Sequence, residues 1–194
     1  MICVLGYNNS ESEFLNNIIS KNNIEFQYSL MEREILAADK IILPHPLNFN
    51  LAYRRISMMN LFSLLRLIKK PILGINDGFK FMCNQILSKQ KCGLGFFPMD
   101  QSQKEETEID LNFVVGKIEV KEGSKLVSNS ISDKSLKFNS ETQSLICQYA
   151  TSTILYEKVL YSLTCELKNY YSLEINFEEN PEVSEIIVQN FLNL

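Results

Sequence analysis

The first half of the sequence alternates short apolar runs with amphipathic segments, and this alternation limits the possible folds more than any other feature. The apolar runs predict strands at 2–6, 24–30, 40–43 and 72–75. The amphipathic segments predict a helix after the Ser-x-x-Glu capping box at 10–13 and a long helix over 51–69. Strands that alternate with helices pair in parallel through right-handed crossovers. The sequence therefore predicts an α/β fold with a mostly parallel sheet.

The segment 69–87 predicts a buried strand, a sharp turn and a helix. The strand at 72–75 lacks polar alternation, which is typical of strands covered on both faces. One helical face is predicted downstream, formed by Phe79, Met82, Cys83, Ile86 and Leu87. Gly74 and Gly78 bracket the turn, as in enzyme families that place a nucleophile at such a position. Here the turn offers an amide, Asn76, and a carboxylate, Asp77, and no Ser, Cys or Thr.

The second half of the sequence has a different pattern. A polar surface connection is predicted at 100–110, and β-like runs follow at 111–120, 144–149, 159–167 and 170–177. These runs favour an antiparallel extension of the sheet. The chain closes with a predicted helix, for which Asn180 is the N-cap and Pro181 the first helical residue. Because we find no repeat or low-complexity linker, we expect a single domain over 1–194.

Composition excludes several classes of protein. Of the 194 residues, 45% are hydrophobic and 22% are charged, which is typical of a globular domain with a sizeable core. The net charge of −4 does not favour nucleic acid as a partner. No apolar run has the ~18 residues that a membrane span requires, and the first residues do not resemble a signal peptide. Five cysteines without a CxxC pair predict reduced core thiols in a cytoplasmic protein. No pattern predicts a cofactor or a metal site.

Four ordered motifs resemble those of the class I glutamine amidotransferases, most closely the glutaminase subunit of imidazole glycerol phosphate synthase in histidine biosynthesis. The motifs are the segments 35–44, 69–82, 92–98 and 173–194. The last of these is similar to the family's Gly-x-Gln-Phe-His-Pro-Glu followed by a closing helix. The resemblance covers nearly the whole chain. It implies a flavodoxin-like, mostly parallel central sheet flanked by helices, and a partner that is a synthase-type subunit.

The functional residues of that family are replaced in this sequence. Asn76 matches the nucleophilic cysteine, and its amide has no ionisable proton near neutral pH. Glu178 and Asn180 match the histidine and the glutamate of the triad. The family's oxyanion loop, Pro-Gly-x-Gly, matches 44–47, which has lost both glycines. Lys80 matches a glutamine that helps to hold substrate. The resemblance therefore implies an amidotransferase frame that has lost glutaminase activity.

Three functions remain open at this point. The first is a non-catalytic or regulatory partner of a synthase-type subunit. The second is a repurposed small-molecule site at Asp77, His45 and Glu178, with Lys80 beside it, because these residues follow strands whose carboxyl ends share one edge of the sheet. The third is a working amidotransferase subunit that supplies ammonia from glutamine. We expect the side chains of Asn76, Glu178 and His45 to converge within about 10 Å at that edge.

Overall fold

The computed structural model describes residues 1–8, 12–86, 91–101, 113–128, 131–132, 134–139 and 143–194. Its strands are β1 (Ile2–Leu5), β2 (Phe26–Ser29), β3 (Lys40–Leu43), β4 (Ile72–Ile75), β5 (Cys83–Ile86), β6 (Lys91–Cys92), β7 (Phe97–Gln101), β8 (Phe113–Val120), β9 (Ser135–Asn139), β10 (Ala150–Tyr156), β11 (Val159–Leu167) and β12 (Tyr170–Leu173). Its helices are α1 (Glu13–Lys21), α2 (Glu32–Ala37), α3 (Phe49–Met58), α4 (Leu61–Leu67), α5 (Asp77–Lys80) and α6 (Pro181–Asn193).

Among the described residues, nine strands form one large sheet in the order β2-β1-β3-β4-β12-β11-β10-β8-β9. The first five strands of this order pair in parallel, and the remaining pairs are antiparallel. The predicted α/β fold with a mostly parallel centre and an antiparallel extension in the second half is therefore confirmed. A smaller sheet, in the order β6-β5-β7, lies beside it.

Helices cover both faces of the parallel strands. On one face, α1 and α6 contribute Leu15, Ile18, Ile187 and Phe191 to a buried cluster. On the other face, α3 and α4 contribute Phe49, Ala52, Ile56 and Leu65 to a second cluster. Neighbouring strand residues point to opposite clusters, so every residue of β1, β4 and most of β3 is buried. Burial on both faces explains why these strands are continuous apolar runs in the sequence.

The helix predicted from Phe79 to Leu87 is wrong. α5 is a single turn, and the chain then forms β5, which pairs with β6 and β7. The backbone carbonyls of Phe81 and Met82 accept hydrogen bonds from the N–H groups of Leu94 (2.7 Å) and Phe96 (2.8 Å), so the chain pairs with a later segment instead of extending the helix. The apolar side chains are buried as predicted, but their spacing does not separate a short strand from a helix. Leu87 lies outside the described residues.

The long helix predicted over 51–69 is divided into α3 and α4. The break falls at Asn60, whose φ of 54° is left-handed, a conformation that asparagine adopts more readily than most residues. α1 begins at Glu13, and its N-cap is Ser12, whose hydroxyl accepts a hydrogen bond from the N–H of Leu15 at 3.3 Å. The predicted N-cap, Ser10, lies outside the described residues.

The β-like runs of the second half are confirmed at 113–120, 159–167 and 170–173, whereas the run at 144–149 forms no strand. Within that segment, Leu145 forms an isolated β-bridge with Tyr161 of β11. The bridge lies on the side of β11 that faces β12, because β12 pairs with β11 only from Thr164 onward. Most of the predicted polar connection at 100–110 lies outside the described residues. In the part of the chain that the structure describes, no helix combines the length and the apolar character needed to cross a membrane.

Candidate functional site

The chain turns sharply at Asn76, between the end of β4 and the start of α5, as predicted. Asn76 has φ 49° and ψ −123°, a backbone conformation that is strained for any residue with a Cβ. A Cβ on Gly78 would lie 2.2 Å from the carbonyl oxygen of Leu43, and one on Gly74 would lie 2.8 Å from the Cα of Phe79, and both of these are backbone atoms. The turn therefore requires glycine on both sides. The turn has the strand-to-helix form and the flanking glycines of a G-x-S-x-G elbow, and Asn76 is its central residue.

The side chain of Asn76 is paired with the backbone of a distant residue. Its Oδ1 accepts a hydrogen bond from the N–H of Ile175 at 2.8 Å, and its Nδ2 donates to the carbonyl oxygen of Ile175 at 3.0 Å. The N–H of Asn76 also donates to the carbonyl oxygen of Leu173 at 2.8 Å. Because the amide is not ionisable and both of its polar atoms are engaged, Asn76 joins the elbow to the chain after β12 and offers no nucleophile.

Two of the predicted site residues form an ion pair beside the elbow, and their charges act on a third, His45. The Nζ of Lys80 is 2.7 Å from Oδ1 of Asp77, and the two side chains are largely buried, with 16% and 30% of their surface exposed. His45 is an exposed residue of the loop after β3, and partial desolvation of its imidazole lowers its pKa. The carboxylate of Asp77 opposes this change, and the ammonium group of Lys80 adds to it. Both charges therefore act on the imidazole. We call His45, Asp77 and Lys80 the elbow cluster.

The loop over 44–47 is held by residues that follow β1. The N–H of Leu47 donates to Oδ1 of Asn8 at 3.0 Å, and Nδ2 of Asn8 donates to the carbonyl oxygen of His45 at 2.8 Å. The hydroxyl of Tyr7 donates to the carbonyl oxygen of Pro44. Pro46 has no N–H. Within this loop the N–H of Leu47 is therefore engaged, and position 46 supplies no donor.

Glu178 and Asn180 lie in the turn between β12 and α6. Glu178 is exposed, and its N–H donates to Oδ1 of Asn176 at 2.9 Å. Asn180 is buried, but its side chain does not cap α6. Instead it accepts from the N–H of Lys137 at 2.8 Å and donates to the carbonyl oxygens of Lys137 at 2.7 Å and Asn176 at 3.0 Å. Asn180 therefore connects this turn to β9, and convergence of Glu178 with Asn76 remains a prediction.

A buried carboxyl group that the sequence did not single out lies at the same edge. Glu174 follows β12, and its Oε2 accepts from the N–H of Ser144 at 3.1 Å, while its Oε1 is buried without a hydrogen-bond partner. Burial raises the pKa of Glu174 to about 7; the hydrogen bonds from Ser144 and the charge of Lys80 oppose this rise. The signal was present in the sequence, because Glu174 is a charged residue inside the apolar run 170–177.

The comparison with solved structures identifies the fold as that of glutamine amidotransferases. A structure described as a glutamine amidotransferase superposes with a TM-score of 0.72 at 9% identity and covers 99% of this chain and 97% of its own. A protein from Thermoplasma acidophilum, described as a subunit of GMP synthase, superposes with a TM-score of 0.53 at 10% identity, over 99% and 92% of the two chains. No protein-family model matches the sequence, and no curated protein matches it.

The elbow and the elbow cluster determine which ligands and which chemistry this edge of the sheet can support. It presents a carboxylate, an ammonium group and an imidazole at the carboxyl ends of parallel strands, where α/β proteins bind ligands. Among the described residues, no group of three or more His, Cys, Asp or Glu side chains is placed to hold a metal ion. The arrangement can bind a polar group through charge, but the elbow itself lacks a group that could attack a carbonyl carbon.

Proposed function

We propose that this protein is a glutamine amidotransferase-like protein without glutaminase activity, and that it acts as a non-catalytic or regulatory partner of a synthase-type subunit. The observation that carries this proposal is the pair of hydrogen bonds between the Asn76 amide and the backbone of Ile175. At the position that matches the family's nucleophile, the Asn76 amide stabilises the turn and is not available to attack a substrate.

The other parts of the family's site support the same conclusion. In the sequence match, Glu178 stands for the base and Asn180 for its orienting residue, and the side chain of Asn180 is bonded to Lys137 and Asn176. Removing a nucleophile or a base from a catalytic triad costs on the order of 10⁶ in kcat. Loss of an oxyanion donor costs about 10²–10³ in kcat. With all three parts replaced, hydrolysis of glutamine by the family's mechanism falls below detection.

The partner is proposed by analogy. One structural neighbour is described as a subunit of GMP synthase, which supports a synthase context for the fold. The motifs of the sequence resemble those of the glutaminase subunit of imidazole glycerol phosphate synthase. We therefore propose a cytoplasmic protein that binds an ammonia-using synthase subunit, or an active relative of itself, and stabilises or regulates it.

Two measurements test the two halves of this proposal separately. Ammonia and glutamate release from glutamine is measured with the purified protein, alone and mixed with the synthase-type subunits of its source organism, and with an active amidotransferase as positive control. We expect no turnover under any of these conditions; turnover would show a working amidotransferase. Size-exclusion chromatography with light scattering then measures complex formation. We expect a stoichiometric complex with one synthase subunit, and the absence of any complex would refute the partner role alone.

A second function is favoured by the elbow cluster. His45, Asp77 and Lys80 place opposite charges and an imidazole at one sheet edge, and Glu178 follows the neighbouring strand. These groups suit a small polar molecule with both an anionic and a hydrogen-bonding part. A thermal-shift screen of amino acids and small organic acids tests this function. A ligand that stabilises the wild type and fails to stabilise Lys80→Ala and Asp77→Asn would establish it.

A further inference from the structure

Two cysteines that are far apart in the sequence lie together in the second half of the sheet. Cys165 is a fully buried residue of β11, and Cys147 lies in the turn before β10, where it is half-buried. Their sulfur atoms are 3.4 Å apart. The two residues come together because Ala150, which begins β10, pairs directly with Cys165 across the antiparallel ladder.

The surroundings of Cys147 stabilise its thiolate. The sulfur atoms of Cys147 and Cys165 are in hydrogen-bond contact, and this contact lowers the pKa of Cys147 below its usual range, although burial opposes the change. The same contact raises the pKa of Cys165, so one member of the pair is the thiolate and the other holds the proton.

We propose that Cys147 and Cys165 form a reversible disulfide by exchange with low-molecular-weight disulfides, and that Cys147 is the attacking thiol. Two observations on the structure carry the assignment. The sulfurs are already in contact, and Cys147 is partly exposed whereas Cys165 is fully buried. Closing the gap from 3.4 Å to a bond of about 2.05 Å requires a movement of little more than about 1 Å.

The exchange consumes one disulfide and forms one. The Cys147 thiolate attacks a sulfur of the reagent RSSR, the S–S bond of the reagent breaks, and RS⁻ leaves with the electron pair. The proton of Cys165 is then lost to solvent, and the Cys165 thiolate attacks the Cys147 sulfur of the mixed disulfide. A second RS⁻ leaves, and both leaving groups take up protons. The two cysteines are oxidised, and the reagent is reduced to two thiols.

The remaining cysteines provide internal controls. Cys3 and Cys83 are buried, and burial raises the pKa of Cys3 to about 11 and moves that of Cys83 in the same direction. Thiolate formation and access are both needed for exchange, so these two residues should stay reduced. Cys92 is exposed and lies in the separate small sheet, so it reports how fast an accessible thiol reacts when it lacks the Cys165 contact.

The test uses the full chain with oxidised glutathione at neutral pH. Free thiols are blocked with N-ethylmaleimide at set times, and the digested protein is analysed by mass spectrometry. We expect a Cys147–Cys165 cross-linked peptide that forms several-fold faster than glutathione adds to Cys92 and that disappears on reduction. In Cys165→Ser we expect glutathione to remain on Cys147 as a mixed disulfide, and in Cys147→Ser we expect Cys165 to remain reduced.

Other outcomes would overturn the assignment. Wild-type protein in which Cys92 is modified while Cys147 and Cys165 both stay reduced would refute the site without the use of any variant. The role of Cys147 as the attacking thiol is tested by the Cys147→Ser variant. If the cross-link forms in the wild type and Cys165 of this variant takes up glutathione as fast as that cross-link forms, Cys147 is not the attacking thiol. Circular dichroism of both variants verifies that each is folded.

Discussion

The amide of Asn76 is hydrogen-bonded to both backbone groups of Ile175, across 99 positions of sequence, at 2.8 and 3.0 Å. Ile175 is buried, with 2% of its surface exposed. The two residues lie after β4 and β12, which are neighbours in the sheet. Asn76 thus forms hydrogen bonds with the backbone of Ile175, which lies beyond the last ladder pair of β4 and β12. These hydrogen bonds hold the turn, so the strain of the positive φ of Asn76 is tolerated.

Asn76→Ala should destabilise the protein markedly. The substitution leaves a buried N–H and a buried carbonyl of Ile175 without partners, and each such group costs about 1–3 kcal/mol. We expect a loss of roughly 2–4 kcal/mol in the free energy of unfolding, measured by urea denaturation. Asn169→Ala is the matched control, since its amide also bonds a main-chain carbonyl, that of Lys69, but is exposed. A loss in Asn76→Ala no larger than in this control would contradict the role of the pair.

The sequence predicted the elbow but not what Asn76 bonds to. The run 72–75 and the flanking glycines are local signals, and they located the turn correctly. The partner of Asn76 depends on the pairing of β4 with β12, which joins segments about a hundred positions apart and leaves no local pattern. The same holds for Cys147 and Cys165, which sequence analysis treated as separate core thiols.

Other errors arose where one local pattern permits two structures. The apolar spacing of Phe79, Met82, Cys83 and Ile86 suits a helix, but the hydrogen bonds of Leu94 and Phe96 turn the segment into a strand. The helix predicted over 51–69 breaks at Asn60, where no proline or glycine in the sequence predicts an interruption. Burial of the apolar residues was predictable in both cases, whereas the backbone conformation depended on partners that are distant in the sequence.

Gly78→Ala should disrupt the elbow. Its Cβ would lie 2.2 Å from the carbonyl oxygen of Leu43 and 2.7 Å from that of Pro44, and both are backbone atoms that cannot rotate away. We expect a loss of at least about 2 kcal/mol in the free energy of unfolding, beyond that of the control. Gly123→Ala is that control, because Gly123 has φ +86° but open space around it. Equal losses in the two variants would show that the elbow can relax.

Glu174 should make stability fall as pH rises. Its pKa is raised in the folded state to about 7, so the folded protein binds more protons than the unfolded chain between about pH 4.5 and pH 7. Unfolding free energy therefore decreases through this window and levels off above it. Glu174→Gln removes the titration, and we expect the variant to exceed the wild type by roughly 1–3 kcal/mol at pH 8 and to match it near pH 4.5.

Urea denaturation at several pH values from 4.5 to 8 measures this difference. The exposed Glu122→Gln serves as a control for the loss of one carboxylate elsewhere on the chain. A stability difference between Glu174→Gln and the wild type that does not change with pH would show that Glu174 keeps the same protonation state on folding.

Asn76→Cys should not restore hydrolysis of glutamine. The new thiol would lie at the elbow, but it needs a base to take its proton and a set of donors for the oxyanion. If Glu178 lies within reach of the thiol, as predicted, it could take a proton only as a carboxylate, and its negative charge would raise the thiol's pKa. The donors are also missing, because the N–H of Leu47 is bonded to Asn8 and Pro46 has none. The substitution further removes the hydrogen bonds to Ile175, so the elbow itself loses support.

We therefore expect ammonia release from Asn76→Cys at the level of a protein-free blank, and little more from Asn76→Cys combined with Glu178→His, unless residues 45–47 are rebuilt as well. The assay compares wild type, single variant and double variant, each with and without a bound synthase-type subunit, and circular dichroism verifies folding. Turnover by the folded single variant would show that base and oxyanion donors are both present at this edge. Because the three missing parts act together in such sites, restoring one of them recovers almost none of the rate.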